Sequence, residues 1–581
     1  MARRDPHSYN DDTQVETESL ALVASIDFAT KTITAEASLV FRAPGTGALD
    51  LDTRDLTIDA VTDVAGEPLA WRLHAPEPIL GARLSIELPA NTAGVRIRYR
   101  TSPSASALQW LEPAQTSGKR APFLFSQCQA IHARSVIPLQ DTPRLRLRYT
   151  AELTIPRTLR AVMAAAPLGR SERGELAIER YEMPQPIPPY LIAFAVGDLE
   201  ARDLSPRSRV WAEPGVVDAA AYEFAGVEDM IRAAEGLFGP YDWDRFDILT
   251  MPPSFPYGGM ENPRLTFLTP SVIAGDRSLV RIVAHELAHS WTGNLVTNAS
   301  AEHFWLNEGF TVYAERRIIE AIFGTDVAAL NAVLGRRVLD ESLARFANRP
   351  QLTRLRTTLW NVDPDDAYSQ VPYQKGYFFL VTLEHAVGRA AFDAWLKTYL
   401  QTFRFQAITT DDFIAHFERA FRGVLAKVDA TTWIDGEGMP DIPEPRSTRL
   451  DAIEQLGTSP PPDDVAWSAT EWMLYLESIP RPAPPALCRH LDARLTKSTN
   501  YEVLVAWLDL ALRSGYTAVL PRVEEVLAAM GRMKFLRPLY TALAANPATA
   551  AAGRTLFERL RPTYHPIARA MVESVFREAA R

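Results

Sequence analysis

Apolar and polar residues alternate along residues 19–43 (SLALVASIDFATKTITAEASLVFRA), and again over LSIEL at 84–88, VRIRYR at 95–100 and LRLRYTAELTI at 145–155. A period of two over short runs broken by Pro and Gly predicts antiparallel sheet, because successive strand side chains face opposite sides. The pattern persists to about Gly197. From Asp218 the apolar spacing becomes three to four, as in YEFAGVEDMIRAAEGLF, so helices are expected to dominate the middle third. A Pro-rich polar stretch from Gly436 to Asp464 then reads as a linker. Beyond it YEVLVAWLDLALRSG, LPRVEEVLAAMG, GRTLFERL and PIARAMVESVFREAA are amphipathic at helical spacing, which predicts short stacked helices. The 581 residues are therefore expected to divide into units at 1–199, 200–440 and 466–581, with 441–465 as the connection.

Composition narrows the classes of function. With 61 basic against 71 acidic residues the net charge is -10, and no nucleic-acid partner is expected. Cys128 and Cys488 are the only cysteines, too few for a disulfide framework or a thiolate zinc site, so any metal must sit on His and carboxylates. No run of 18 apolar residues occurs, and MARRDPHSYNDDTQ has no apolar core behind its charges. A cytoplasmic protein with no membrane partner is the expectation.

The segment SLVRIVAHELAHSWTGN (Ser278 to Asn294) predicts a helix starting at Asp276 or Ser278 and stopping at Gly293. It carries His285-Glu286-Leu287-Ala288-His289. Histidines four apart share one helix face and can turn imidazole nitrogens toward one ion, with Glu286 beside them. Chance gives roughly 0.01 such HExxH matches in a chain of this composition. A third ligand is available in Glu308 of WLNEGF, which opens a second helical pattern, EGFTVYAERRIIEAIF. Two imidazoles and one carboxylate leave the fourth zinc position open, the arrangement of a catalytic site. Zinc there lowers the pKa of its water toward ~7 and polarises a carbonyl; Glu286 takes the water's proton and can pass it to a leaving amine. Glu315 falls on the same face as Glu308 and could orient a ligand or be a solvated surface acid.

HExxH, 18 intervening residues and Glu, preceded by Gly258-Gly259-Met260-Glu261-Asn262, resembles the gluzincin aminopeptidases of the aminopeptidase N and leukotriene A4 hydrolase family. PPSFPYGGMENP, HSWTGNLVTN, DPDDAYSQVPYQKG, SQCQAIHARSVIPLQDTP and MGRMKF resemble its leukotriene A4 hydrolase branch and run from about Ser126 to Phe535. The resemblance implies a multidomain α+β fold: an N-terminal β-saddle domain, a thermolysin-like zinc catalytic domain and a C-terminal α-helical domain of HEAT/armadillo type, with the cleft where the three meet.

The resemblance also implies roles. One zinc ion per chain would sit on His285, His289 and Glu308. Glu261 would bind the substrate's free α-amino group, which makes the enzyme an exopeptidase, and Gln129 would assist it. Gln127, in the same SQCQ segment, is either a site residue or an ordinary polar strand residue. Tyr257, Gly258, Gly259 and Met260 would line the substrate edge. Tyr373 would face the developing oxyanion. Tyr368 and Asp365 would line the pocket, with Asp365 favouring Arg or Lys at the first position. Arg532 and Lys534 would receive the peptide carboxylate, so short peptides, tripeptides above all, are favoured. Ala301 departs from the pattern, standing where the vertebrate leukotriene enzymes carry a bulky aromatic, while Phe304 and Trp305 are kept; this reshapes an apolar pocket meant for a fatty-acid tail.

The expected function is a monomeric zinc aminopeptidase acting on short peptides. The alternative is an epoxide hydrolase acting on a lipid epoxide in the same pocket, with Asp365 directing water. A zinc-bearing scaffold that has lost catalysis is a third reading, opposed by the intact Glu286, Glu261 and Tyr373.

Overall fold

The computed structural model describes residues 4–462 and 466–579. Its first unit is an eight-stranded sheet running Ala166–Arg173, Leu176–Ile187, Leu147–Pro156, Thr17–Asp27, Thr32–Thr53, Ala82–Arg100 and Thr57–Asp63, with Trp71–Leu73 beside Ala82–Arg100. The alternation in sequence is the cause: Leu20, Leu22, Ala24 and Ile26 turn inward while Ala21, Val23 and Ser25 face out. Leu20 pairs with Leu39 and Leu22 with Ala37 across the antiparallel ladder, so both strands bury the same face. A four-stranded sheet packs in the same core.

The middle unit carries a five-stranded sheet that the apolar periodicity does not announce: Glu200–Ser205, Ser208–Ala212, Asp247–Thr250, Leu265–Leu268 and Gly259–Met260. Leu265–Leu268 is buried throughout and Asp247–Thr250 nearly so. A short strand covered on both faces shows no alternation, and four apolar residues look the same in a strand or a helix.

Three helices follow, Val280–Ala288, Trp305–Phe323 and Thr325–Arg345. The first is shorter at both ends than its spacing predicts. It stops at Ala288 with His289 as its cap, because Gly293 takes a positive φ of 111° and a turn folds back through Asn294 N–H to His289 O and Gly293 N–H to Val296 O.

The stretch expected as a linker contains a helix, Thr448–Leu456. Ser447 caps it by accepting the Leu450 N–H, and Leu450 and Ile453 are buried, so two apolar residues suffice to dock a segment whose average composition is polar. The remaining helices, among them Tyr501–Arg513 and Met533–Ala545, share one continuous apolar core with the middle unit. No helix of the described residues is long and apolar enough to cross a membrane.

Candidate active site

The short helix and the one after it bring three ligand atoms together. His285 Nε2 and His289 Nε2 each lie 3.6 Å from Glu308 Oε2, and all three fall within 4.8 Å of one another. The far side of each ring decides what the near side offers. His285 Nδ1 meets a Glu315 oxygen at 3.0 Å, and His289 Nδ1 meets the Thr292 carbonyl at 3.1 Å. Both partners are acceptors, so both Nδ1 atoms carry hydrogen and both Nε2 lone pairs point inward. Glu308 Oε2, buried, has no hydrogen-bond partner. Two lone pairs and an orphaned carboxylate oxygen converging on one point are satisfied by a cation and by little else, and the donor set is one that zinc accepts. Glu315 is thus a buried partner of a ligand and not a surface acid.

The turn after the helix is held by close fits. A Cβ on Gly293 would lie 2.4 Å from Asn307 Oδ1 and 2.8 Å from His289 Nδ1. Gly309 and Gly376 meet so closely that a Cβ on Gly309 would lie 2.8 Å from the Gly376 Cα. That approach seats the π-helical turn Val371–Lys375 against the Glu308 helix. Tyr373 rides on this turn, its ring stacked on His285 at 6.2 Å between centroids and its hydroxyl 3.5 Å from that of Tyr368.

Glu286 is buried beneath the edge strand Gly259–Met260, where a Cβ on Gly259 would come within 2.3 Å of Glu286 Oε1. Burial pushes its carboxyl up to about 8, with Glu261, Glu308 and Glu315 adding to the rise and His285 opposing it. Glu261 follows on the same strand edge and is also buried; burial raises it to about 7, against its own backbone N–H, His285 and Gln129. Gln129 Nε2 donates to Glu261 Oε1 at 3.3 Å, and Asn294 Nδ2 fixes the Glu261 carbonyl at 2.8 Å. Oxygens of Glu261 and Glu286 and a nitrogen of His289 also lie within 4.8 Å of one another. Burial depresses His289 to about 4. Burial opposes charge on His285 as well, yet Glu308 and Glu315 outweigh it and raise that ring, so a proton and a metal compete for its Nε2.

The helical unit reaches the same strand edge through GRMKF. Gly531 N–H donates to Pro253 O at 2.8 Å and Met533 N–H to Pro256 O at 3.1 Å. A Cβ on Gly258 would lie 3.2 Å from Arg532 Nη2, so the guanidinium lies directly against the Gly-Gly-Met-Glu edge. Arg532 donates to Glu502 Oε1 at 2.9 Å and Lys534 to Glu502 Oε2 at 2.7 Å. Glu502 is buried, but Lys534 and Arg532 overcome the burial and hold it down at about 2. Sequence reasoning missed Glu502: a single acid in an amphipathic helix 30 residues before Arg532 carries no local signal.

All sixteen residues expected at the site line one cavity of about 2300 Å³, together with Glu315, Ala301 and Phe304. Gln127 donates to Met260 Sδ at 3.1 Å, Tyr257 is half-buried against Phe255, and Asp365 pairs with His132. Trp305 lies away from the cavity, fully buried in the core.

A family model for the peptidase M1 N-terminal domain matches residues 5–191, one for the peptidase family M1 domain matches 222–433, and one for the leukotriene A4 hydrolase C-terminal domain matches 467–576. The chain belongs to peptidase family M1. This M1 peptidase is 40% identical over 567 residues to the leukotriene A-4 hydrolase of Xenopus laevis, covering 92% of the chain and 93% of the relative. It is 38% identical over 558 residues to leucine aminopeptidase 2 of Aspergillus terreus, covering 90% of each. Its fold matches that of a yeast LTA4 hydrolase solved in complex with bestatin, with a TM-score of 0.91 at 32% identity over 99% of this chain and 97% of that one. The three-part architecture is that of the resembled family, and the M1 peptidase is a zinc-dependent hydrolase.

Proposed function

We propose that this M1 peptidase removes amino-terminal residues from short peptides with a free N-terminus. The observation that carries the reading is the buried Glu261 carboxylate, held by Gln129 within 4.8 Å of Glu286 and His289 atoms. An acid there pairs with the α-ammonium of a substrate and leaves room for one residue before the reacting carbonyl. Zinc held by His285, His289 and Glu308 would supply a Lewis acid for that carbonyl and acidify a water. Glu286, beside the ligand cluster and held as a carboxylate by a bound cation's charge, would accept a proton from the attacking water and return it to the leaving amine. Tyr373 stays protonated, since burial and the nearby Glu308 raise its hydroxyl well above the usual range, and it donates to the oxyanion. Arg532 and Lys534 receive the peptide carboxylate, which favours tripeptides, and Asp365 favours Arg or Lys first.

The epoxide-hydrolase reading is supported by an apolar wall. Ala301 packs on Phe346, Leu352 and Leu359, and Ala301, Leu352 and Leu359 face the cavity with Asp365. The proposed enzyme is a cytoplasmic monomer, and its two buried free cysteines suit that compartment.

Turnover on a panel of aminoacyl amides, tripeptides and a lipid epoxide, with and without a chelator, tests both activities. Chelator-sensitive release of first residues is expected; its absence overturns the aminopeptidase reading. Asp365→Asn sharpens the second, since loss of epoxide turnover in kcat, against a KM effect on Arg-first peptides, would assign it chemistry there.

A further inference from the structure

Asp365 enters the cavity on the first turn of the short helix Pro364–Ala367, where Asp363 caps the backbone and its Oδ1 accepts the Asp365 N–H at 3.0 Å. Its side chain is 59% exposed, and a carboxylate so placed ordinarily samples several rotamers. Here one oxygen is taken. His132 Nε2 lies 2.9 Å from Asp365 Oδ2, reaching across from the β-rich unit over 233 positions of sequence. Among the described residues no hydrogen bond engages Asp365 Oδ1 from another side chain.

The other side of the ring fixes which nitrogen bears the hydrogen. His132 Nδ1 faces Arg54 Nη1 at 3.1 Å and Ser106 Oγ at 2.8 Å. A guanidinium has only hydrogens to give, so Nδ1 is the acceptor and the ring hydrogen sits on Nε2, aimed at the carboxylate. Arg54 is itself anchored by donation to the Ile79 carbonyl, and the His132 side chain is mostly enclosed. The relay therefore runs Arg54 to His132 to Asp365, from the bend after the strand Thr32–Thr53 of the first unit to the short helix Pro364–Ala367 of the second.

We propose that His132 is a positioning residue that holds Asp365 in the rotamer receiving a cationic first side chain, Arg or Lys, so that the N-terminal unit sets the specificity of the catalytic unit. One oxygen of Asp365 is spent on His132 and the other is left for an ammonium or guanidinium. The inference rests on the aminopeptidase reading and adds a residue outside the groups that touch the substrate.

The test uses the zinc-loaded full-length protein with Arg- and Ala-4-nitroanilides. His132→Ala is expected to raise KM for the Arg substrate about tenfold, the scale of a lost hydrogen bond to a charged group, with kcat kept. Ala-substrate constants should stay within about twofold, because the altered contact lies away from the reacting groups. His132→Gln keeps an N–H that can reach the carboxylate and should recover part of the Arg/Ala ratio. Asp365→Asn should lower that ratio at least as far, with His132→Ala adding nothing in its background. Equal losses on both substrates, or an unchanged ratio in His132→Ala, would overturn the proposal. If His132→Ala does not fold, Ser106→Ala should lower the same ratio to a smaller extent, and an unchanged ratio there overturns the proposal too. An unchanged ratio in Asp365→Asn rejects Asp365 as the recognition group and the proposal with it. Wild-type protein inert on both substrates rejects the aminopeptidase reading itself.

Discussion

The two ends of the cleft solve opposite electrostatic problems. At the HExxH end Glu261, Glu286, Glu308 and Glu315 are all buried around two imidazoles, and Glu308 keeps an oxygen without a partner. At the far end two cations, Arg532 and Lys534, share one buried carboxylate, Glu502, with both of its oxygens engaged. The first cluster is incomplete without a cation. The second is complete in itself and carries one positive charge over, enough to attract a carboxylate without needing one to fold. A buried group left unpaired is costly, so the first cluster calls for a ligand while the second is satisfied within the chain.

The largest effects should come from breaking the first cluster. Glu286→Gln should lower kcat by at least about a hundredfold, the scale of lost general acid–base catalysis, with one zinc per chain retained by elemental analysis. Zinc retention with near-wild-type turnover would remove Glu286 from the chemistry. Tyr373→Phe comes next: a lost oxyanion donor costs about 10²–10³ in kcat with little change in KM. Glu315→Gln leaves His285 with a weaker partner and should loosen zinc by about 10- to 100-fold in a competition titration.

Changes at the basic end should be smaller and of another kind. Lys534 is half-exposed, so Lys534→Ala should raise KM for tripeptides by about tenfold and leave the corresponding peptide amides unchanged. If acids and amides suffer alike, the end is not a carboxylate receiver. The smallest effect is a pH dependence of stability. Glu502 is held at about 2 in the folded chain against 4.5 when free. The stability it lends is thus fully present above about pH 4.5 and declines as the pH falls toward 2, so Glu502→Gln should flatten the acid limb of a melting-temperature profile between about pH 2 and 4.5.

The β-rich unit was legible because its strands are exposed on one face, as along residues 20–27, where every second residue is buried. The sheet of the catalytic unit was not, because Leu265–Leu268 is buried on both faces and shows no period. The Thr448–Leu456 helix hid in a polar stretch because only Leu450 and Ile453 dock it. His285, His289 and Glu286 were visible because their spacing is itself the geometry: one helix turn sets the distance between ligands.

The chain alone determined which residues can share a metal and which local segments alternate, since both follow from fixed backbone periods that need no partner. Only tertiary structure decided that Glu315 backs His285, that Glu502 bridges Arg532 and Lys534, and that His132 meets Asp365 across 233 positions. Those pairings depend on where separate units pack, and sequence distance carries no record of it.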